Sequence, residues 1–205
     1  KRESKDMIDA FFDLVTDSLV NGTDVKISGF GNFQIRTKAP RPGRNPRTGE
    51  PVAIEARRVV TFPASPKLKG LRPMLQDIAD PDWILQAALA PALQTMSDLG
   101  LVLDALIKPL HLPRLLTLAA RYPALKLVID HAAKPDIAAG QWEPWASDLA
   151  EVARQTQAVC KISGLLTEAG PKPDPDAAQR WAAHVLKAFG EDRVMWGSDW
   201  PVLEL

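Results

Sequence analysis

The sequence predicts two fold classes in one chain: an α+β module over the first third, then an α/β module built on a parallel sheet. Charge is the first observation behind this division. Residues 1–72 carry 14 Lys+Arg against 8 Asp+Glu, a surplus of six, and the rest carry 11 against 17, a deficit of six, so a net charge of zero conceals two halves of opposite sign. Patterning is the second: one amphipathic helix leads into short strands around a Pro/Gly-rich basic stretch. The third is a regular strand–helix alternation after residue 70, with strand starts about 30 residues apart, the repeat of successive βα units. All six Trp also fall after residue 82.

In the first module Met7, Ile8, Phe11, Phe12, Val15, Leu19 and Val20 recur at helical spacing, with Ser4 as the expected N-cap and Asn21-Gly22 as the stop. The apolar face is wide and requires a partner. Strands are expected at 25–28 and 33–36, separated by Gly29-Phe30-Gly31-Asn32, a turn whose glycines supply positive φ. From residue 36 to 58 apolar residues thin out and bases and prolines crowd the stretch 38–49. With strand composition returning at 52–54 and 57–62, this reads as a long hairpin projecting from the body. The same composition also fits a disordered basic loop. Arg41, Arg44, Arg47, Arg57 and Arg58 suit phosphate neutralisation and insertion into a minor groove, and Pro46 is a rigid apolar wedge with no N–H to satisfy.

Through Val25-Lys26-Ile27-Ser28-Gly29-Phe30-Gly31-Asn32-Phe33, Arg41-Pro42-Gly43-Arg44-Asn45-Pro46 and Ala56-Arg57-Arg58-Val59-Val60-Thr61-Phe62, residues 1–69 resemble the HU/integration host factor family, in its alpha-subunit branch. That family is a standard example of minor-groove bending. The resemblance implies an HU-like fold with a β-arm, and an intertwined homo- or heterodimer whose two arms embrace bent double-stranded DNA. It also implies an intercalating Pro46, with Arg41, Pro42, Gly43, Arg44, Asn45, Arg47, Arg57 and Arg58 as further DNA-binding residues. Family members begin with another helix, so the module is expected to lack its first helix.

In the second module strands are expected at 70–75, 103–108, 127–130, 159–163 and 194–197, with helices at 84–99, 113–121, 145–156 and 176–189. Asp174 is the expected cap of the last helix, Pro175 its first position and Gly190 its stop. The alternation implies a parallel sheet, either open or closed as a barrel. Polar residues gather where strands end, at Arg72, Lys108, Asp130-His131, Ser163 and Ser198-Asp199, and both architectures place their sites there. No Gly-rich phosphate loop follows any strand.

Gly70-Leu71-Arg72-Pro73-Met74-Leu75-Gln76, Val128-Ile129-Asp130-His131-Ala132-Ala133-Lys134-Pro135, Cys160-Lys161-Ile162-Ser163-Gly164-Leu165 and Met195-Trp196-Gly197-Ser198-Asp199-Trp200-Pro201 resemble the amidohydrolase superfamily, in its lactonase-like branch. The resemblance implies that residues 70–205 are strands four to eight of a TIM (β/α)8 barrel. Asp199 would be the general base toward water, His131 would orient or polarise the carbonyl of a lactone or amide, and Arg72 or Lys134 would bind a substrate carboxylate. Complete relatives in part use a divalent metal such as zinc. No H-x-H occurs among the three histidines, so no metal or other cofactor is expected here, with His131 and Asp199 entering a metal site only if a partner supplied the missing ligands.

Each site residue also has a plainer role. His131 suits a hydrogen-bonded residue closing the core, and Asp199 suits a turn. His111 and His184 are expected to be structural, Cys160 a buried thiol ahead of its strand, and the Trp residues core and site lining. With one cysteine no intrachain disulfide forms, which suits a reducing compartment. No apolar run approaches the ~20 residues of a membrane span and no signal peptide opens the chain, so a cytoplasmic, nucleoid location is expected.

Leu68-Lys69 fits both resemblances, which puts the seam within 66–73 and suggests a recombined or misassembled reading frame, cut at both ends. DNA binding and bending by the arm is the leading expectation. A lactone or amide hydrolase is the alternative, with no useful hydrolysis expected from this chain alone because strands one to three are missing. A chimeric product with neither function is the third.

Overall fold

The computed structural model describes residues 2–44, 50–171, 175–197 and 199, which form two compact units, Lys1–Leu68 and Lys69–Leu205. Asn45, Pro46 and Arg47, the side chains of Ser4 and Arg44, Asp174, Ser198, Trp200 and Pro201 lie outside what is described.

In the first unit α1 (Arg2–Val20) starts ahead of Ser4, which therefore lies within the helix rather than at its cap. Strands β1 (Val25–Ile27), β2 (Gly31–Lys38) and β5 (Arg57–Thr61) form an antiparallel sheet in the order β1-β2-β5. Of the expected turn, only Gly29 takes positive φ, at +76°, and Gly31 and Asn32 belong to β2. Gly31 serves by lacking a side chain, since a Cβ there would lie 2.4 Å from the Phe62 ring. Phe62 packs against Phe30 and Phe33, with ring centroids 5.1 and 4.6 Å away. Beyond the sheet β3 (Arg41–Arg44) pairs antiparallel with β4 (Pro51–Ile54), so part of the basic stretch expected at the tip is strand. Helix α1 buries Val15 but leaves Phe11, Phe12, Leu14 and Val20 exposed.

The second unit is a five-stranded parallel sheet in the order β10-β9-β8-β7-β6. Its strands are β6 (Gly70–Leu71), β7 (Val102–Ala105), β8 (Lys126–Ile129), β9 (Val159–Ile162) and β10 (Val194–Trp196). Each strand lies beside its predecessor in sequence. The first strand is shorter than expected because Pro73 has no N–H for a ladder. The expected helix at 84–99 is instead two 3-10 turns, Trp83–Leu85 and Ala87–Leu89, followed by α2 (Ala90–Asp98). Pro91 lies in the first turn of α2, where its fixed φ starts a helix but its ring prevents one from running through. The remaining crossovers carry α3 (Leu112–Arg121), α4 (Trp145–Gln155), the short α5 (Leu165–Glu168), which patterning does not predict, and α6 (Pro175–Phe189).

Leu103, Ala105, Leu127, Ile129 and Cys160 alternate along the strands as buried residues and form one wall of the core with Leu112, Leu115, Leu118, Leu149, Val152 and Val185 of the helices. Cys160 lies inside β9 rather than ahead of it. The other sheet face carries Asp104 and Lys161, whose opposite charges meet across the strands at 2.7 Å.

Candidate functional site

Polar side chains converge at the carboxyl ends of the parallel strands. Asp104 of β7 and Asp130, directly after β8, are the acidic elements, and Asp130 is 1% exposed. Burying a carboxylate requires paired charge. Arg72, just beyond β6, supplies it at 3.0 Å from Asp104 and 3.2 Å from Asp130, and Lys161 of β9 lies 2.7 and 3.2 Å from the same two groups. The quartet is balanced in charge and ties four neighbouring strands together. Among the described residues neither Asp130 oxygen has a well-directed hydrogen bond, and the Arg72 and Lys161 charges lie against it.

His131 follows Asp130 and points across this end of the sheet. Its Nε2 lies 3.3 Å from Asp199 Oδ1 and 3.7 Å from Asp130 Oδ2, and its Nδ1 lies 2.8 Å from Ser163 Oγ. Asp199 lies beyond β10 in the left-handed region at φ +59°, and its second oxygen accepts a hydrogen bond from the Thr167 hydroxyl at 3.2 Å. Gly164 floors the pair, since a Cβ there would lie 2.9 Å from His131 Nδ1 and 3.1 Å from Asp199 Oδ2.

The backbone holding His131 is strained. His131, Ala132, Ala133 and Lys134 all have φ between +49° and +60°, one turn of left-handed helix without a glycine. The buried Trp145 indole donates to the Ala132 carbonyl at 2.7 Å and fixes that turn. Trp145 also belongs to an aromatic cluster with Trp142, Trp181 and His184.

Lys134, at the end of the turn, pairs with Glu168 of α5 at 2.8 Å. Both line a cavity of about 650 Å³ with Gln76, Lys108, Gln141 and Trp145. The site therefore has two parts, the His131–Asp199 pair and a cavity of mixed polar and apolar lining beside Lys134.

Of the residues expected from sequence, His131 and Asp199 come together, Arg72 is engaged by two carboxylates, and Lys134 lies at the cavity wall. Sequence reasoning placed Ser163 among the strand-end polar residues but missed the roles of Asp104, Lys161 and Thr167. Asp104 and Lys161 had a signal, since each is a charge inside an apolar strand. Thr167 had none.

His111 is buried in a 3-10 turn with its ring against the Lys108 backbone, and burial first of all pushes its pKa below 6.5. His184 hydrogen-bonds the Ala146 carbonyl. Cys160 is buried and its pKa is pushed up to about 12, chiefly by burial. All three are structural. Trp196, expected as lining, is 82% exposed on edge strand β10.

In the first unit a group of cations lies on β2, β5 and the start of β3. Arg36, Lys38, Arg41, Arg57 and Arg58 are exposed, and the register sets Lys38 directly opposite Arg57.

The architecture and the site define an amidohydrolase-like parallel α/β unit joined to a basic β-arm unit, and comparison with known proteins agrees. The chain belongs to the amidohydrolase family, which it matches over residues 38–205, and through residues 1–71 to the bacterial DNA-binding protein family. An L-fucono-1,5-lactonase of Burkholderia ambifaria is 49% identical over 147 residues, 72% of this chain and 51% of that protein. The integration host factor subunit alpha of a Polaromonas species is 86% identical over 69 residues, 34% of this chain and 62% of that subunit. A zinc-bound crystal structure of an amidohydrolase from Burkholderia multivorans is 36% identical with a TM-score of 0.62, covering 67% of this chain and 51% of that one. The chain thus spans about half the length of its lactonase and amidohydrolase relatives.

A zinc ion of that kind requires three or four protein donors. Among the described residues no three His, Cys, Asp or Glu side chains are grouped to hold a metal ion, and both His131 nitrogens already face protein partners. The residues present do not fit a zinc ion.

Proposed function

We propose that the chain binds and bends double-stranded DNA through the basic arm of its first unit, residues 1–69. The observation that carries this reading is the placement of Lys38 opposite Arg57, with Arg36, Arg41 and Arg58 exposed nearby. Like charges facing each other across a ladder destabilise a sheet unless a polyanion lies over them. The resemblance to integration host factor supplies the rest: a minor-groove arm, Pro46 as the wedge between base steps, and a dimer through the exposed apolar face of α1. The site of action is the nucleoid, in the cytoplasm; among the described residues no helix is long and apolar enough to cross a membrane. A gel-shift titration of duplex DNA against salt tests the reading. Arg57→Ala with Arg58→Ala is expected to weaken binding and to flatten the log–log salt slope by about 0.9 for each phosphate that is no longer neutralised. Pro46→Ala is expected to reduce bending more than affinity. Wild-type affinity indifferent to salt would refute the proposal.

A second reading is favoured by the His131–Asp199 pair at the carboxyl ends of β8 and β10. Residues 70–205 then represent strands four to eight of a (β/α)8 barrel, which the sequential strand order supports. In this reading Asp199 takes a proton from the attacking water, His131 exchanges its Nε2 contact with Asp199 for the carbonyl of a sugar-type lactone and orients it, and Lys134 with Arg72 meets substrate oxygens. Strands one to three are missing, so little turnover is expected from this chain alone, and whatever lactone turnover is followed by acid release is expected to vanish in Asp199→Asn, because a neutral Asn cannot accept the proton. Equal turnover in that variant would defeat the assignment.

A further inference from the structure

We infer that Ser163 is a positioning residue that fixes the proton of the neutral His131 ring on Nε2, facing Asp199. The inference rests on the reading of His131 and Asp199 as a working pair.

The argument is one of donors and acceptors. Two carboxylates face Nε2, Asp199 at 3.3 Å and Asp130 at 3.7 Å. An ionised carboxylate only accepts hydrogen bonds, so the nitrogen turned toward it carries the hydrogen. A neutral imidazole has one N–H, which leaves Nδ1 with a lone pair. The Ser163 hydroxyl, 2.8 Å from Nδ1, then donates to it. Ser163 is itself buried, so its hydroxyl is shielded from competing water, and a residue without a hydroxyl there would strand a shielded nitrogen.

A hydroxyl suits this position for a second reason. It rotates, donating to the neutral ring and accepting from the cationic one, so His131 keeps its partner in both protonation states without turning. The surroundings also resist a ring flip. Gly164 lies against the Nδ1 edge, closely enough that a Cβ would come within 2.9 Å, and the left-handed turn beneath fixes the Cα–Cβ direction. Ser163 and Gly164 thus act in sequence, the first occupying Nδ1 and the second leaving room for it. Because Ser163 directly follows β9 and His131 comes two residues after β8, the pairing of the two strands sets their separation.

The test is long-range 1H–15N correlation spectroscopy of the full chain labelled at histidine, at a pH where the rings are neutral, with His131→Gln used only to identify the peaks. The wild type is expected to show a pyrrole-type Nε2 and a pyridine-type Nδ1 for His131. Ser163→Ala is expected to bring both 15N shifts toward a common averaged value as the second tautomer becomes populated, and Ser163→Thr, which keeps the hydroxyl, to restore them. A wild-type proton on Nδ1 would overturn the inference. So would an unchanged His131 pattern in Ser163→Ala that still melts cooperatively. If Ser163→Ala does not fold, the wild-type and Ser163→Thr spectra decide alone, since both must show the proton on Nε2. Lack of lactone turnover would count against the hydrolase reading and is separate from this measurement.

Discussion

At the scale of single residues, the most demanding feature is the left-handed turn from His131 to Lys134. Each non-glycine residue there costs on the order of 1–2 kcal/mol, so the surroundings must hold the turn in place. Trp145 does so with a buried hydrogen bond to Ala132 at 2.7 Å. Trp145→Phe keeps most of the ring and removes the donor, stranding a buried carbonyl. The expected loss is about 1–3 kcal/mol, read as a lower urea midpoint with an unchanged slope. Cys160 makes a pH prediction whose sign follows from its raised pKa of about 12 against an ordinary 9.0. The unfolded thiol ionises first, so the Cys160 contribution to stability is constant below pH 9 and falls between 9 and 12, and Cys160→Ala is expected to flatten that limb. A thiol reagent at pH 8 is expected to label the native protein only as fast as it unfolds. His111 contributes the opposite limb. Its lowered pKa means that the unfolded state takes up the proton first, so stability is lost as pH falls below 6.5.

At the scale of elements, the parallel sheet and the strand–helix alternation were legible because apolar runs and turn residues repeat with the period of a βα unit. Element ends were less legible. The stretch 84–99 carries helical periodicity, yet Pro91 delays α2 to Ala90, and a residue's fixed φ outweighs a hydrophobic pattern locally. The motif that holds His131 could be recognised, but its left-handed geometry could not, because four consecutive positive φ values in non-glycine residues contradict local preference and arise only from tertiary contacts. Thr167 and α5 were invisible for the same reason: their roles depend on the loop after β9 meeting Asp199 beyond β10 and Lys134 beyond β8. Gly31 shows a glycine noticed for one property and used for another. Sequence suggests a turn, whereas the structure uses the missing side chain to seat Phe62. Gly31→Ala is therefore expected to destabilise the β1-β2-β5 sheet by about 1–3 kcal/mol through overpacking, with faster amide exchange along β2 and no change in the second unit.

At the scale of the whole molecule, the two units differ in how they satisfy their apolar surface. The second buries a core that includes Leu103, Leu127, Ile129, Leu149 and Val185, and among its described residues leaves Met74, Leu99, Leu110, Leu186 and Trp196 exposed. The first buries Val15 and leaves Phe11 at 44%, Phe12 at 56% and Leu14 at 67% exposure along one helix. A helix of this kind gains most of its stability from packing, so on the proposed reading the first unit is expected to gain stability from association and from DNA. Calorimetry is accordingly expected to show two transitions. The one belonging to the first unit should rise with protein concentration and with added duplex DNA, by about 2.7 kcal/mol at a hundredfold excess over the dissociation constant. The transition of the second unit should respond to neither, and Trp145→Phe should lower it alone. The charge division adds an internal control, because salt should erode the DNA-induced rise through the surplus of six positive charges in residues 1–72. A single transition indifferent to concentration, DNA and salt would show that the exposed face of α1 is not an association surface and that the arm does not bind DNA.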